Sequence, residues 1–288
     1  MNQPGTFAMK RSIAFLAVVI TLAVASMSHA QDRPTLHMVS VGISKYQDRR
    51  FESGVAFAAK DAQDVAALFA GQRGKMFGRV ESKLLTDRDA TRAGLAKALD
   101  WLEANATADG YTLVFLAGHG GPNALGAYEY LVHDSNALVA STRVHGAWLR
   151  SRLDKIPGKR ILILDTCHSG GFGFQGAPFA AFAACGAKQQ SSEHPSIQNG
   201  YFTRCLLDGL RGAADHDGDG RVTLAEAERH LNDKLPGLTQ NKQHLTHHRP
   251  SSFAANLPLA QVSPNATPPS QPSQPAPAPP LTFKTGPR

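Results

Sequence analysis

The chain has 288 residues, 42% of them hydrophobic and 18% charged, which is the make-up of a globular protein. With its two unusual ends set aside, that length suits a single α/β domain. The formal net charge of +7 is spread along the chain, and no basic run interleaves with aromatic residues, so there is no nucleic-acid footprint.

The first 30 residues read as a signal peptide. Lys10 and Arg11 supply a positive start, 13–24 form an apolar stretch, and Ser28-His29-Ala30 makes a small-x-small cleavage site before Gln31. The stretch is short for a membrane span. Removal would give an exported protein, periplasmic or secreted, and retention would give an anchor. Losing Lys10 and Arg11, with no acids, lowers the net charge to +5. Nothing later is apolar enough to cross a membrane, so no transmembrane helix is expected in the mature chain.

A first strand is expected over 35–43, followed by a helix over 55–69 with Asp61 and Asp64 on its outer face. A second strand at 80–85 leads to a helix capped by Asp89 or Thr91, with Leu95, Leu99 and Leu102 at helical spacing. Two short apolar runs, 112–117 and 161–164, each stop at a glycine-bearing motif. The first motif is Gly118-His119-Gly120; the second is Asp165-Thr166-Cys167-His168-Ser169-Gly170-Gly171. A helix near 143–153 lies between them. A further strand at 179–184 and a helix at 201–210 follow. This alternation predicts a mostly parallel sheet covered by helices on both faces. The domain is expected over 31–256, and 257–288, rich in Pro, Ser, Gln and Ala, as a disordered tail.

Carboxyl ends of parallel strands are where open α/β sheets bind ligands. A histidine and a cysteine brought there by separate strands make an acid/base partner and a nucleophile. The thiolate of Cys167 would attack, and His119, on a turn where little shields its ring, would move the proton. The backbone amides of Gly120 and Cys167 are candidates to hold an oxyanion.

Paired in this order, 48 residues apart, the two motifs resemble those of the caspase-like cysteine peptidases (peptidase C14). The likeness is nearer to bacterial metacaspase-type members than to animal caspases. It runs from about 36 to 250 and includes Lys60-Asp61-Ala62, the stretch 130–134 and the stretch 200–203. The resemblance implies a caspase-like three-layer sandwich and an endopeptidase acting on protein or peptide substrates through His119 and Cys167. It also implies that His168 is part of the motif and not the acid/base. Asp165, two residues before the cysteine, looks in such enzymes into the pocket for the residue preceding the cut. A carboxylate there would pair with a guanidinium or ammonium group, hence cleavage after Arg or Lys. The alternative is that Asp165 caps local amides and holds its turn.

Asp215, Asp217, Asp219, Arg221 (through its carbonyl) and Glu226 fit a twelve-residue calcium loop with Gly220 at its sharp turn. The same acids would equally cap the following helix. Calcium is thus a candidate cofactor that the dyad's chemistry does not require. Cys185 and Cys205 are either a disulfide or two buried thiols. The rival functions are a catalytically idle binding or regulatory module and a calcium-binding structural protein.

Overall fold

The computed structural model describes residues 33–262 and the backbone of 282–283. The expected signal peptide and most of the expected tail lie outside the described residues.

The chain opens with β1 (Thr35–Gly42), α1 (Ala58–Ala70), β2 (Arg79–Thr86), α2 (Arg92–Asn105) and β3 (Tyr111–Gly118). The short strands β4 (Gly120–Pro122), β5 (Tyr128–Tyr130) and β6 (Val144–His145) precede α3 (Gly146–Leu153), β7 (Lys159–Thr166) and β8 (Ala180–Ala183). Next come β9 (Ser192–His194), β10 (Asn199–Gly200), α4 (Tyr201–Asp208), β11 (Arg221–Thr223) and α5 (Leu224–Leu238). The series closes with β12 (Thr246–His248), β13 (Pro258–Gln261) and β14 (Thr282–Phe283).

The central sheet has the order β12-β8-β7-β3-β1-β2. All its pairings are parallel except that of β8 with β12. Side chains that alternate along each strand feed two separate cores, as a sheet covered on both faces requires. Met38, Leu113, Phe115, Ile161, Ile163 and Phe182 pack on one face with α1, α4 and α5. Val39, Val41, Val114, Leu116, Leu162 and Leu164 pack on the other with Leu95, Leu99 and Leu102 of α2 and Leu149 of α3. This is the expected layered α/β architecture. Its borders carry charge: Arg79, Ser82 and Lys83 are exposed on β2 beside an exposed Leu84, and β12 is only three residues long, with His247 exposed. No helix among the described residues is long and apolar enough to cross a membrane.

Three expectations change. α1 begins at Ala58 rather than 55, because the Glu193 carboxylate takes the amides of Ala56 and Phe57 at 2.6 and 3.2 Å and holds them out of the helix. The helix starting at Tyr201 leaves α geometry at Gly209, continuing as a π turn to Ala213 with Gly212 at φ 128°. The folded chain also runs past 256: β13 pairs antiparallel with β11, and Leu259 and Ala260 are buried. Thr91 accepts from the Gly94 amide at 3.0 Å and is the cap of α2.

Candidate active site

The parallel register of β3 and β7 sets Gly118 opposite Thr166. His119 and Cys167 are therefore the next residues off two adjacent strands, which run about 4.8 Å apart. Both stand at the carboxyl edge of the sheet, as expected, but neither lies open. His119 is 0% and Cys167 1% exposed, which corrects the expectation of an unshielded ring.

The covering groups also orient the two side chains. The His119 amide donates to Tyr46 Oη at 2.9 Å, and the two rings lie 5.1 Å apart. Burial raises the Tyr46 phenol far above its usual range, so it stays protonated. His119 Nε2 is 2.8 Å from the Phe51 carbonyl oxygen. A carbonyl only accepts, so Nε2 carries the hydrogen and Nδ1 is the basic atom of the neutral ring. Cys167 Sγ donates to the Ser191 carbonyl at 3.7 Å. Beneath it, Thr166 Oγ1 and Tyr128 Oη are 2.6 Å apart. A Cβ on Gly120 would come within 2.6 Å of Tyr128 Oη and 2.7 Å of Thr166 Oγ1, so only glycine fits there.

His168 occupies the left-handed region at φ 56°, ψ 20°. Its Nδ1 donates to the Ala187 carbonyl at 3.0 Å and its amide to the Gln189 carbonyl at 2.9 Å. These bonds fix the sharp turn after the sulfur.

Asp165 is fully buried near the end of β7. Its oxygens accept from Ser191 Oγ and Thr203 Oγ1, each at 2.6 Å. A second carboxylate, Asp61, lies across Gly200. It accepts from Asn199 Nδ2 at 2.9 Å and from the Gly200 amide at 3.1 Å. A Cβ on Gly200 would stand 2.5 Å from Asp165 Oδ2 and 3.3 Å from Asp61 Oδ2. The expected outward position of Asp61 is thus corrected: it is 0% exposed and faces inward. The signal was in the helix itself. The buried residues of α1 are Ala58, Asp61, Ala62, Val65 and Phe69, one stripe at helical spacing that includes the acid.

Gln243 ties this region together. Its Oε1 accepts from the Ser192 amide and hydroxyl, each at 3.2 Å, while Nε2 donates to the Ala184 carbonyl at 2.9 Å. It links β9 to the end of β8, and no sequence pattern pointed to it.

In the acidic loop, carboxylate oxygens of Asp215, Asp217 and Asp219 lie within 4.8 Å of one another. Each also accepts from amides of the loop, those of Gly218, Gly220, Asp219 and Arg221. Glu226 is turned to a different task. It forms a capping box with Thr223 at the start of α5 and accepts from the His216 amide at 3.1 Å. Burial works to raise its pKa, but these hydrogen bonds outweigh it and leave the carboxyl below its usual value. Three carboxylates of the expected set therefore converge, while Glu226 caps a helix and Arg221 opens β11. Cys185 and Cys205 are both free and buried; burial pushes the Cys205 thiol to about 12.

A mostly parallel sandwich with a histidine and a cysteine leaving neighbouring strands defines a recognisable class. The family described as the caspase domain matches residues 38–254, and the chain belongs to that family. Its fold is similar to the crystal structure of a Geobacter sulfurreducens protein, at 17% identity and a TM-score of 0.58, covering 80% of this chain and 100% of that one. It is also similar to caspase-1 from Spodoptera frugiperda, at 12% identity and a TM-score of 0.52, covering 81% and 90%. At these identities the likeness is one of fold. No protein of curated function matches the chain.

Proposed function

We propose that the protein is an exported cysteine endopeptidase that cleaves protein or peptide substrates after Arg or Lys. The observation that carries this is the register of β3 and β7, which brings His119 and Cys167 off the sheet together. In the reaction, Cys167 Sγ gives its proton to His119 Nδ1 and bonds to the scissile carbonyl carbon. The amides of Gly120 and Cys167 receive the oxyanion. His119 then protonates the leaving amine, the C–N bond breaks, and water activated by the same nitrogen hydrolyses the thioester. Asp165 is assigned the substrate's cationic side chain, with Asp61 as a second carboxylate on the same pocket.

The test is to purify the mature chain and its Cys167→Ala form and offer peptides with Arg, Lys or Asp before the cut. Cleavage by the parent after Arg or Lys, lost in the variant, is expected. Equal inactivity of both would favour the second reading, a caspase-fold binding or regulatory module, which the burial of both reactive side chains supports. Sequencing the exported N-terminus tests cleavage before Gln31. Calcium at Asp215, Asp217 and Asp219 is a separate proposal, supported by their convergence and opposed by Glu226's place in the helix cap. It supplies no step of the proposed chemistry.

A further inference from the structure

Glu193 is a buried carboxylate with no step in the proposed reaction. It lies on β9, 2% exposed, two residues after Ser191. Ser191 is the residue whose carbonyl accepts from Cys167 Sγ at 3.7 Å and whose hydroxyl donates to Asp165 at 2.6 Å. Gln243 ties β9 to the end of β8, so this strand belongs to the cysteine's side of the site.

The Glu193 side chain reaches the other way, to the segment 43–57 that joins β1 to α1. That segment supplies both groups that orient His119: Tyr46 Oη, which accepts from its amide, and the Phe51 carbonyl, which accepts from Nε2. Its first half is tied by Asp87, which accepts from the Ser44 and Lys45 amides at 2.8 and 2.9 Å, and through Asp48, which accepts from the Ala137 amide at 2.9 Å. Its second half meets Glu193. Oε1 accepts from the Ala56 amide at 2.6 Å and Oε2 from the Phe57 amide at 3.2 Å. These amides open α1, where a carboxylate also meets the positive end of the helix dipole.

We propose that Glu193 is a positioning residue, which bridges β9 to the segment 43–57 and so fixes the imidazole of His119 against the thiol of Cys167. The inference rests on the reading of those two residues as the reactive pair. β3 and β7 set where the two backbones leave the sheet, but they do not turn the side chains. The ring is turned by the Phe51 carbonyl and the sulfur by the Ser191 carbonyl. Those carbonyls belong to separate segments, and Glu193 joins the two. A slip of about an ångström between them alters the path of the proton, and misplacement of that size costs on the order of 100-fold in rate. The residue type follows from the two N–H groups it serves. Glutamine has the same length but one acceptor, and turns its NH2 toward the other amide, donor against donor. Aspartate keeps the charge on a stem one carbon shorter and falls short of the pair.

The experiment uses the mature chain. In the parent, the Ala56 and Phe57 amides are expected to exchange hydrogen at least about tenfold more slowly than in an unfolded chain; exchange at the unfolded rate overturns the inference. Glu193→Gln is expected to lower kcat on a Lys or Arg peptide by about tenfold, with KM changed by less than about twofold. A readout independent of turnover is the nitrogen NMR spectrum of the His119 ring, taken in a Cys167→Ala background. The ring should carry its hydrogen on Nε2, and in the added presence of Glu193→Gln its two nitrogen signals should move toward the average of the two tautomers. Thr223→Ala, which loosens α5 instead, should leave kcat and the ring signals unchanged and so separates positioning from a general loss of stability. Should Glu193→Gln not fold, Glu193→Asp is read in the same way. Unchanged ring signals in a folded variant overturn the inference, whether or not kcat falls, and leave the peptidase reading standing. Shifted ring signals in a protein whose parent cleaves no peptide support the positioning role and overturn the peptidase.

Discussion

Asp61 and Asp165 carry the same charge but are held differently, and their replacements should differ accordingly. Asp165 rests on two hydroxyls, Ser191 and Thr203, which can reverse their donor and acceptor roles to suit an amide. Asp165→Asn should therefore fold normally and lose about 2 kcal/mol of pairing with a cationic substrate, roughly thirtyfold in kcat/KM. The measurement is kcat/KM on matched peptides with Arg or a neutral residue before the cut; an equal loss on both would remove Asp165 from the pocket. Asp61→Asn should cost stability as well, because Oδ1 accepts from the Asn199 amide group and the Gly200 N–H, and Oδ2 also accepts from the Gly200 N–H. An asparagine placed there turns a donor toward a donor on one side, at about 1–3 kcal/mol, read from urea midpoints. Tyr46→Phe leaves the buried His119 amide without an acceptor and should cost a similar amount while slowing turnover.

At the scale of elements, the capping box at Thr223 lets the two roles of the acidic loop be separated. Thr223→Ala should destabilise the domain by about 1 kcal/mol through loss of the α5 cap, measured by urea denaturation in EDTA. Calorimetric titration of calcium into the parent tests the other role, and heat of binding abolished by Asp217→Asn would establish the metal site. The loop also illustrates what the sequence could convey. Its acids were legible; which of them turned to a helix N-terminus was not, because both roles demand the same residue types. β3 and β7 were readable because each is an unbroken apolar run closed by glycine, and a buried parallel strand needs little else. The site's β9 was missed for the opposite reason: Ser192, Glu193 and His194 have no apolar alternation, and the strand exists through pairing with β10 and the bonds of Gln243. β13 was hidden by its proline-led start beside a compositionally biased tail. Asp61 was misplaced because acids are usually solvated, although its spacing within α1 put it on the buried stripe.

For the whole molecule, His37 and His230, two of the buried histidines, weaken the fold in mild acid. Burial lowers the pKa of both His37 and His230, and nearby positive charge adds to the effect at His230. Below the unfolded value of about 6.5 the unfolded chain binds protons that the folded chain refuses. Stability should therefore fall as pH drops through that value and be flat above it. Urea midpoints at pH 5, 6, 7 and 8 check this, and His230→Gln should shrink the slope between pH 5 and 6.5. The lowered carboxyl of Glu226 has the opposite history. Its contribution is complete above about pH 4.5 and is lost only on further acidification, outside that window.

The charged rims of the central sheet have a bearing on assembly. Charged side chains along β2 and the curtailed β12 discourage another copy from extending the hydrogen-bonded array at either border. Everything assigned to catalysis, from Tyr46 through Thr203, comes from one polypeptide. Turnover per molecule should accordingly be unaffected by serial dilution, and sedimentation should give the mass of one chain.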